Sequence, residues 1–597
     1  MAWVSNRFVA LLNRYTTASP DHEVAFDEYV SNGPEPPAGS LRLTTKIEQF
    51  LTNRFRQPHP PSVILTGNAG DGKTYLCRQI VNVLQGKEPK RWEVLIDQPI
   101  EYNAMRFFIV KDLSELSEEK GKEILQRLAQ TLQTPDLRDR YLIAANEGRL
   151  RALISTIAGH KELKEAIQTQ LDQGPAYHQS LIVFNLNRVA TSTFVSAALA
   201  WMTDQRNWQD CNECPVQLKC PIRFNVTRLT VQSVQQRIKM LYELLERSNE
   251  HVTIRDMLIH LAYTISGGFD CTQVQQQVQE RADMSYLAYY ENIFGRDDHV
   301  SFRRKSHVTR LLHRFNIGSQ SIFAIDEFII NGGETIAEQQ QHQALFGETV
   351  DLHFKAFHQA RRAYTEGIAS ERDQAVLRWL PHCRRKLFFE RNHLDERNHL
   401  NEQQLLPFRY FSIYQRLLNQ PQGTHEGIVS QLIKGLNRAF SRLYLTQTEQ
   451  LRVNERLYIT TQYVHSVNQP HPIVLLTLPI ENIKITVNTA RDQHLDLPER
   501  SLYLHIAPPT TQRHAKPIAW PLNILLFEHL MRIADGGHIS ILADECELEV
   551  RRLKDVLIQQ FATVDTAANE VAFFVPARYR YELRRLRIDE QGRLAIS

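Results

Sequence analysis

The residues Gly67-Asn68-Ala69-Gly70-Asp71-Gly72-Lys73-Thr74 carry the most specific motif in this chain. They follow a short apolar run, Val63-Ile64-Leu65, and precede a helix-like segment over residues 75–84. A strand, the pattern GxxxxGK[ST] and a helix, in this order, are typical of a phosphate-binding P-loop. The sequence therefore predicts that a nucleotide binds between the first strand and the helix that follows it.

The residue types in this motif suit phosphate chemistry. Backbone N–H groups can converge on anionic oxygens only where side chains leave room, and the helix N-terminus adds partial positive charge. We expect Lys73 to reach the β- and γ-phosphates and the Thr74 hydroxyl to help hold Mg²⁺. The predicted nucleotide contacts are Gly67, Asn68, Ala69, Gly70, Asp71, Gly72, Lys73, Thr74 and Tyr75.

Strand-like and helix-like segments alternate over residues 60–190. Further strands are predicted over residues 93–96, 107–110, 141–145 and 181–184, separated by helical stretches. Such alternation predicts a doubly wound parallel sheet. Ligands bind at the carboxyl ends of parallel strands, so polar residues at these ends are candidate site residues.

Two of the predicted strand ends carry such residues. Asp112 follows the apolar strand 107–110 and is the candidate for the Mg²⁺ side of the site, although a capping role in a turn explains it as well. No acidic residue follows Asp112 directly, so Glu115 and Glu147 are the alternatives for a catalytic base. Asn146, at the next strand end, is positioned to orient the attacking water or to contact the γ-phosphate.

Several arginines are candidates for a second role at this edge. Arg255 lies in the first turn of a predicted helix with Thr253 as its N-cap, where a lid domain places a nucleotide-sensing arginine; an exposed ion-pairing arginine is the alternative. Arg149, Arg151 and Arg188 lie near the predicted strand ends. Each of these three is a candidate to act on the nucleotide of a neighbouring subunit.

Four cysteines form a candidate metal site. Cys211, Cys214 and Cys220 follow the spacing C-x2-C-x5-C, and Cys271 is the best-placed fourth ligand. Thiolates at this spacing suit a tetrahedral Zn²⁺ or an iron–sulfur cluster, and ordinary free thiols are a third interpretation. We expect zinc, as a structural staple, rather than an iron–sulfur cluster. No histidine accompanies the cysteines in sequence, which argues against a catalytic role.

The 597-residue chain has an ordinary globular composition, 42% hydrophobic and 23% charged, with a formal net charge of +3. This balance neither requires nor excludes nucleic acid, so any DNA-binding surface must be local. Seven cysteines are too few, and odd in number, for a disulfide framework. The most apolar late stretch, residues 518–531, contains Pro521, Asn523, Glu528 and His529. We therefore expect a cytoplasmic protein without a membrane span.

The order of these segments predicts five regions. They are an N-terminal helical segment over residues 1–58, a P-loop core over 59–205, a cysteine-cluster insert with a helical lid over 206–280, a helical middle region over 281–450 and a mixed, β-rich C-terminal domain over 451–597. The C-terminal assignment depends on strand-like runs over residues 457–464, 473–478, 483–487, 501–506 and 571–575. The predicted fold class is α/β: a P-loop NTPase parallel sheet with a helical lid and middle region, plus the β-rich C-terminal domain.

The order of P-loop, Asp112, Asn146 and Arg255 resembles the AAA+/STAND side of the P-loop ATPases. More specifically, the chain resembles the DptF-type ATPases of DNA phosphorothioation-dependent restriction in the segments GNAGDGKT, YLIAANEGRLR, the Cys211 cluster, HVTIRDMLIHLAYTISGGFDC, RRKLFFE and KGLNRAF. The resemblance implies an ATP- and Mg²⁺-binding subunit of a prokaryotic defence complex. Such a complex acts, together with other subunits of its operon, on DNA that lacks a protective sulfur mark.

This resemblance leaves two classes of function open. The first is an ATP-hydrolysing motor or switch that acts on DNA through partner subunits, with a homo-oligomer as one arrangement. The second is a nucleotide-stabilised scaffold, or a STAND-type signalling ATPase, without direct action on DNA. The lack of an acidic residue directly after Asp112 departs from the common AAA+ pattern and predicts slow hydrolysis by the isolated chain. No nuclease constellation is visible in the sequence, so we do not assign DNA cleavage to it.

Overall fold

The computed structural model of the chain describes residues 5–15, 35–87, 92, 94–134, 138–157, 159–282, 284–296, 306–315, 317–351, 354–367, 373–391, 402–420, 425–462, 472–489, 492–509, 514–537, 543–561, 570–588 and 593–596. Over these residues the protein is a mixed α/β structure with a five-stranded, mostly parallel sheet and a β-rich C-terminal part. It divides into two compact units. The first comprises Met1–Glu246, Glu250–Pro407 and Asp492–Pro498, and the second comprises Arg247–Asn249, Phe408–Arg491 and Glu499–Ser597.

The first unit is built around the mostly parallel sheet. Its strands are β1 (Ser62–Thr66), β2 (Ile100–Tyr102), β3 (Met105–Val110), β4 (Asp139–Ala145) and β5 (Leu181–Asn185), in the spatial order β2-β3-β4-β1-β5. β1 lies between β4 and β5 and is parallel to both, and β3 is parallel to β4. β2 is antiparallel to β3 and closes one edge. The expected alternation of strands and helices is confirmed for β1, β3, β4 and β5.

Helices surround this sheet and continue into the middle of the chain. In chain order they are α1 (Arg7–Tyr15), α2 (Lys46–Phe55), α3 (Lys73–Gln85), α4 (Val94–Asp97), α5 (Glu118–Gln133), α6 (Glu147–Thr156), α7 (Lys161–Gln173), α8 (Ser192–Met202), α9 (Pro221–Leu229), α10 (Gln232–Arg247), α11 (Ile254–Ser266), α12 (Cys271–Gln279), α13 (Tyr289–Asn292), α14 (His307–Phe315), α15 (Phe323–Asn331), α16 (Ile336–Phe346), α17 (Phe354–Thr365) and α18 (Asp373–Glu390).

Successive side chains of the parallel strands enter two separate hydrophobic cores. In β1, Val63 and Leu65 belong to the core that contains residues of α2 and α3. Ile64 belongs to the core that contains residues of α5, α6 and α7. A strand that is covered on both faces needs apolar residues at consecutive positions, which explains the unbroken Val63-Ile64-Leu65 run. Because β1 is buried on both faces, it holds the start of the motif at residues 67–74 in a fixed position.

The strand predicted over residues 93–96 is wrong. Residues 94–97 form the single helical turn α4, which buries Leu95, and residue 93 lies outside the described residues. The strand that pairs with β3 is β2, joined to it by a two-residue turn at Asn103 and Ala104 with φ of 49° and 62°. Positive φ at both central positions is typical of the turns that close hairpins. A short apolar run does not by itself distinguish a strand from a helical turn. The edge of the sheet beside β3 is formed by β2 instead of the predicted strand.

The second unit contains two antiparallel sheets and four helices among its described residues. The helices are α19 (Phe411–Asn419), α20 (Glu426–Ser441), α21 (Ile524–Ala534) and α22 (Ala543–Phe561), and the strands are β6 (Arg456–Gln462), β7 (Pro472–Pro479), β8 (Ile483–Asn488), β9 (Ser501–Ile506), β10 (Ile518–Pro521), β11 (Glu570–Pro576), β12 (Tyr581–Ile588) and β13 (Leu594–Ile596). The strands are ordered β13-β12-β11-β7-β6 and β10-β9-β8. The predicted β-rich character is confirmed; β10, β12 and β13 were not predicted, and residues 463–464 of one predicted run lie outside the described residues.

No helix in the described part of the chain is long and apolar enough to span a bilayer.

Candidate functional site

The Gly67–Gly72 loop connects β1 to α3 at the carboxyl edge of the sheet. Thr66, the last residue of β1, pairs with Ala145 of β4 and with Asn185 of β5. α3 begins at Lys73 with Gly72 as its N-cap, so no side chain caps this helix. The first N–H groups of a helix have no intrahelical acceptor, and they are therefore available to an anion at this end of α3.

Lys73 folds back over this loop. Its Nζ donates hydrogen bonds to the carbonyl of Gly67 at 2.9 Å and to that of Asn68 at 2.7 Å. Burial lowers the pKa of Lys73, the nearby Asp71 and Asp112 carboxylates act in the opposite direction, and the Arg255 guanidinium adds to the lowering. Two cations thus face one glycine-rich loop, and a polyphosphate would supply the negative charge that favours both.

Residues outside the predicted site hold the loop in shape. Asp71 accepts a hydrogen bond from the Asn68 N–H at 2.6 Å, and its other oxygen lies 2.8 Å from Nε2 of His251. Asn187, two residues beyond β5, accepts a hydrogen bond from the same N–H at 3.0 Å. Neither His251 nor Asn187 was predicted as a site residue. The only local signal for Asn187 is that a polar residue follows a strand end, and its contact with the loop depends on β5 lying beside β1. Nothing in the local sequence pointed to His251.

The first turn of α11 also contacts the loop. The Arg255 N–H donates to the Gly70 carbonyl at 3.2 Å. Thr253 caps α11 by accepting a hydrogen bond from the Asp256 N–H, as the sequence predicted. The structure therefore brings Arg255 beside the P-loop sequence, although 185 positions separate Gly70 from Arg255 along the chain.

Gly70→Ala should destabilise the nucleotide-free protein more than Gly72→Ala does. Both residues have positive φ, 103° and 87°, so an alanine is strained at either position. At Gly70 the new Cβ would also lie 2.8 Å from Thr253 Oγ1 and 2.9 Å from Arg255 Cβ, whereas Gly72 faces open space. We expect an additional loss of about 1–3 kcal/mol in the free energy of unfolding, measured by denaturant titration without nucleotide. Equal losses in the two variants would show that α11 does not press on Gly70.

Asp112 and Asn146 lie at the same edge of the sheet as the loop. Val110 pairs with Ile143 in the register of β3 and β4, which brings Asp112 level with the end of β4. Asp112 accepts a hydrogen bond from the Ser114 N–H at 2.7 Å, and Asn146 accepts one from the Gly148 N–H at 3.0 Å, so both side chains are caps. A carboxylate has two oxygens, so the cap leaves Asp112 capacity for a metal-bound water or an ion.

The two alternatives for a catalytic base have different surroundings. Glu147 accepts a hydrogen bond from Nε of Arg151 at 2.9 Å and one from the Asn185 amide at 3.1 Å. Glu115 is 59% exposed and lies 3.7 Å from Nζ of Lys111. The hydrogen bond to Asn185 ties Glu147 to the end of β5, next to β1, whereas Glu115 lies on an exposed turn after Asp112. Glu147 is the better-placed of the two.

The three arginines proposed to act between subunits also differ. Arg151 is engaged by Glu147 and donates to Gln168 Oε1 at 2.6 Å. Arg149 is half-buried and donates to the Leu116 carbonyl at 3.4 Å. Arg188 is exposed, in the turn that follows β5. Arg188 is therefore the most accessible of the three to a neighbouring molecule.

The structure brings the four cysteines of the predicted metal site together around one cavity. All of them are free thiols. Burial raises the pKa of Cys220 to about 12 and that of Cys271 to about 11, and it also raises the pKa of Cys211. Among the described residues, no three His, Cys, Asp or Glu side chains are already arranged as a metal site.

Acid should destabilise the protein through His260 of α11. The buried ring has Nδ1 2.7 Å from the Tyr242 hydroxyl and Nε2 2.9 Å from the Ile293 carbonyl oxygen. Burial lowers the pKa of His260 from 6.5 to about 4. Between these pH values the unfolded chain binds a proton that the folded chain does not, so stability is complete above about pH 6.5 and falls as the pH drops toward 4, by up to about 3 kcal/mol.

The measurement is the free energy of unfolding between pH 4 and 7 for the wild type, for His260→Gln and for His178→Gln, which changes an exposed histidine. We expect the His260 variant to show a shallower dependence on pH and the His178 variant to follow the wild type. Identical slopes in all three proteins would contradict the assignment.

No protein-family model matches the chain, and no curated protein sequence is significantly similar to it.

Proposed function

We propose that this chain is a P-loop NTPase that binds ATP and Mg²⁺ at residues 67–75 and hydrolyses ATP as a subunit of a prokaryotic DNA restriction or antiphage defence complex. One observation carries the nucleotide assignment. At the carboxyl edge of the sheet, Lys73 lies over the loop, beside a helix N-terminus without a side-chain cap, and the Arg255 guanidinium and the Asp112 carboxylate are near enough to act on its charge. This combination of charges suits a magnesium-bound polyphosphate.

Each residue of the site has a role in this proposal. Lys73 exchanges the carbonyls of Gly67 and Asn68 for phosphate oxygens, which as full anions are the stronger acceptors. Thr74 and Asp112 hold the Mg²⁺ side of the nucleotide. Arg255 reports from the first turn of α11 whether the γ-phosphate is present.

Binding to the intact chain is the first test of this proposal. Equilibrium titration should show ATP binding that strengthens with Mg²⁺, since the metal neutralises charge between the β- and γ-phosphates. Competition by GTP and by ADP then gives the preference for base and for the γ-phosphate. A folded chain that binds no nucleoside triphosphate would overturn the assignment.

The biological role is supported by the resemblance to the DptF-type ATPases. It predicts that the chain purifies with other subunits of its operon and that DNA is engaged through that complex. The test is restriction of unmarked DNA in cells that carry the complete operon with either wild-type or Lys73→Ala chain. Restriction that is unchanged by the substitution would show that nucleotide binding here is not required.

A nucleotide-stabilised scaffold is the second candidate, and two observations favour it. No acidic residue follows Asp112 directly, and the Glu147 carboxylate already accepts hydrogen bonds from Arg151 and Asn185. A scaffold would need ATP for assembly without turning it over. ATP consumption by the assembled complex, compared with assembly in the presence of ATP alone, distinguishes the two functions.

A further inference from the structure

We propose that Cys211, Cys214, Cys220 and Cys271 bind one structural Zn²⁺, and that this ion anchors the end of α11 opposite to the one that contacts the P-loop. The thiols come from different turns of the first unit. Cys211 and Cys214 lie at the end of a 3-10 segment, Cys220 directly precedes α9, and Cys271 is the first residue of α12. Together they line a cavity of about 20 Å³. A set of four cysteine thiolates is one of the ligand sets of structural zinc.

Hydrogen-bond donors are already aimed at three of the four sulfurs. Asn6, which is 2% exposed, donates its backbone N–H to Cys271 Sγ at 3.4 Å and its side-chain Nδ2 to Cys211 Sγ at 3.3 Å. The Gln275 Nε2 lies 4.0 Å from Cys214 Sγ. N–H groups around a set of sulfurs stabilise thiolates more than thiols, and such outer partners orient the ligands of metal sites.

Zinc binding would change the distances between the four sulfur atoms. The described residues contain no three His, Cys, Asp or Glu side chains that already form a finished metal site. Protonated thiols pack at van der Waals contact, whereas four thiolates on zinc each lie about 2.3 Å from the ion after giving up their protons. Side-chain rotation into the shared cavity is the movement required.

A packed thiol elsewhere in the chain shows the contrast. Cys77 is fully buried in the hydrophobic core beneath β1, among leucine, isoleucine and valine side chains. A thiol there behaves as a small apolar group. Cys211, Cys214, Cys220 and Cys271 are instead partly exposed around a common space, with amide donors facing them. Packing alone does not explain that arrangement.

The position of the site gives the zinc a consequence beyond local stability. α11 ends at Ser266, and the chain then turns through Gly267 into α12, which opens with Cys271. The other end of α11 begins one residue after Thr253, which lies against Gly70 of the loop. A helix of 13 residues is about 20 Å long, so zinc would fix the far end of a rigid rod that contacts the P-loop. This coupling to the loop rests on the proposed nucleotide function; the zinc site itself does not.

Elemental analysis of the full chain, purified without chelators or a metal-affinity tag, tests the site directly. We expect about one Zn²⁺ per chain, with iron and acid-labile sulfide at trace level. Cys214→Ser should lose this zinc and lower the midpoint of thermal unfolding. Cys546→Ser, which changes a buried cysteine of the second unit, should keep it. Stoichiometric iron with sulfide, or folded wild-type protein without any metal, would overturn the zinc assignment.

If Cys214→Ser does not fold, cobalt replaces the variant as the probe. Wild-type protein stripped by a chelator and refilled with Co²⁺ should show the absorption of tetrahedral cobalt with four thiolate ligands. A spectrum of cobalt with fewer thiolates would overturn the four-cysteine set. Finally, stripped protein should bind ATP severalfold more weakly than refilled protein. Zinc without ATP binding contradicts the nucleotide function alone, whereas ATP binding without zinc contradicts the metal site alone.

Discussion

Lys73→Ala should raise the Kd for ATP by roughly thirty- to a hundredfold, a loss of about 2–3 kcal/mol in binding free energy. The side chain already lies over the loop, with Nζ within 2.9 Å of the Gly67 and Asn68 carbonyls, so it is in place to bind phosphate. Alanine removes a charged hydrogen-bond donor from a half-buried position, where water compensates poorly. Equilibrium titration with Mg²⁺ and ATP measures the change.

Lys87→Ala is the matched control, because Lys87 is exposed just beyond the C-terminal end of α3. It should leave the affinity unchanged. An unchanged Kd in a folded Lys73→Ala protein would rule out the proposed site. The same variant also separates the two classes of function, since a motor or switch loses turnover within an intact complex, whereas a scaffold loses assembly.

The sheet could be predicted because its strands are buried on both faces. β1, β3, β4 and β5 carry continuous apolar runs, and each run ends in a polar residue or a glycine, which marks both the strand and its edge. The hairpin between β2 and β3 could not be predicted in this way, because β2 has only three residues, of which one is buried. Its turn, Asn103-Ala104, lacks the glycine that marks most such turns.

The candidate site was predictable only where it is local in sequence. The loop, Lys73 and Asp112 follow from a motif and a strand end. The contacts of His251 with Asp71, and of Asn187 with Asn68, depend on which segments meet in space. The four cysteines lie between these cases. Cys211, Cys214 and Cys220 lie within ten residues of one another, so their grouping is local in sequence. Cys271 is distant in sequence, and its place beside them around one cavity follows from the fold.

The isolated chain should bind ATP but hydrolyse it slowly, and assembly should accelerate hydrolysis on the order of a thousandfold. The side chains at the carboxyl ends of β4 and β5 support this expectation. Glu147, the better-placed base, is held by Arg151 and Asn185, and Asn146 serves as a helix cap. A transition state that spreads charge over the γ-phosphoryl oxygens needs one more cation, which an arginine of an adjacent subunit would supply. Phosphate release by isolated chain and by assembled complex measures the difference.

Arg188 is the first of the three arginines to test, since it is exposed while Arg149 and Arg151 have partners within the chain. Arg188→Ala should keep ATP affinity but lose most of the assembly-dependent rate. Mixing this chain with Lys73→Ala chain should restore part of the activity, because some interfaces then combine an intact pocket with an intact arginine. The corresponding mixture of Lys87→Ala with Lys73→Ala controls for simple dilution by wild-type-like chains. If isolated chain hydrolyses ATP as fast as the complex, the activation is not supplied by a neighbour, and Glu147, released from Arg151, becomes the base to examine.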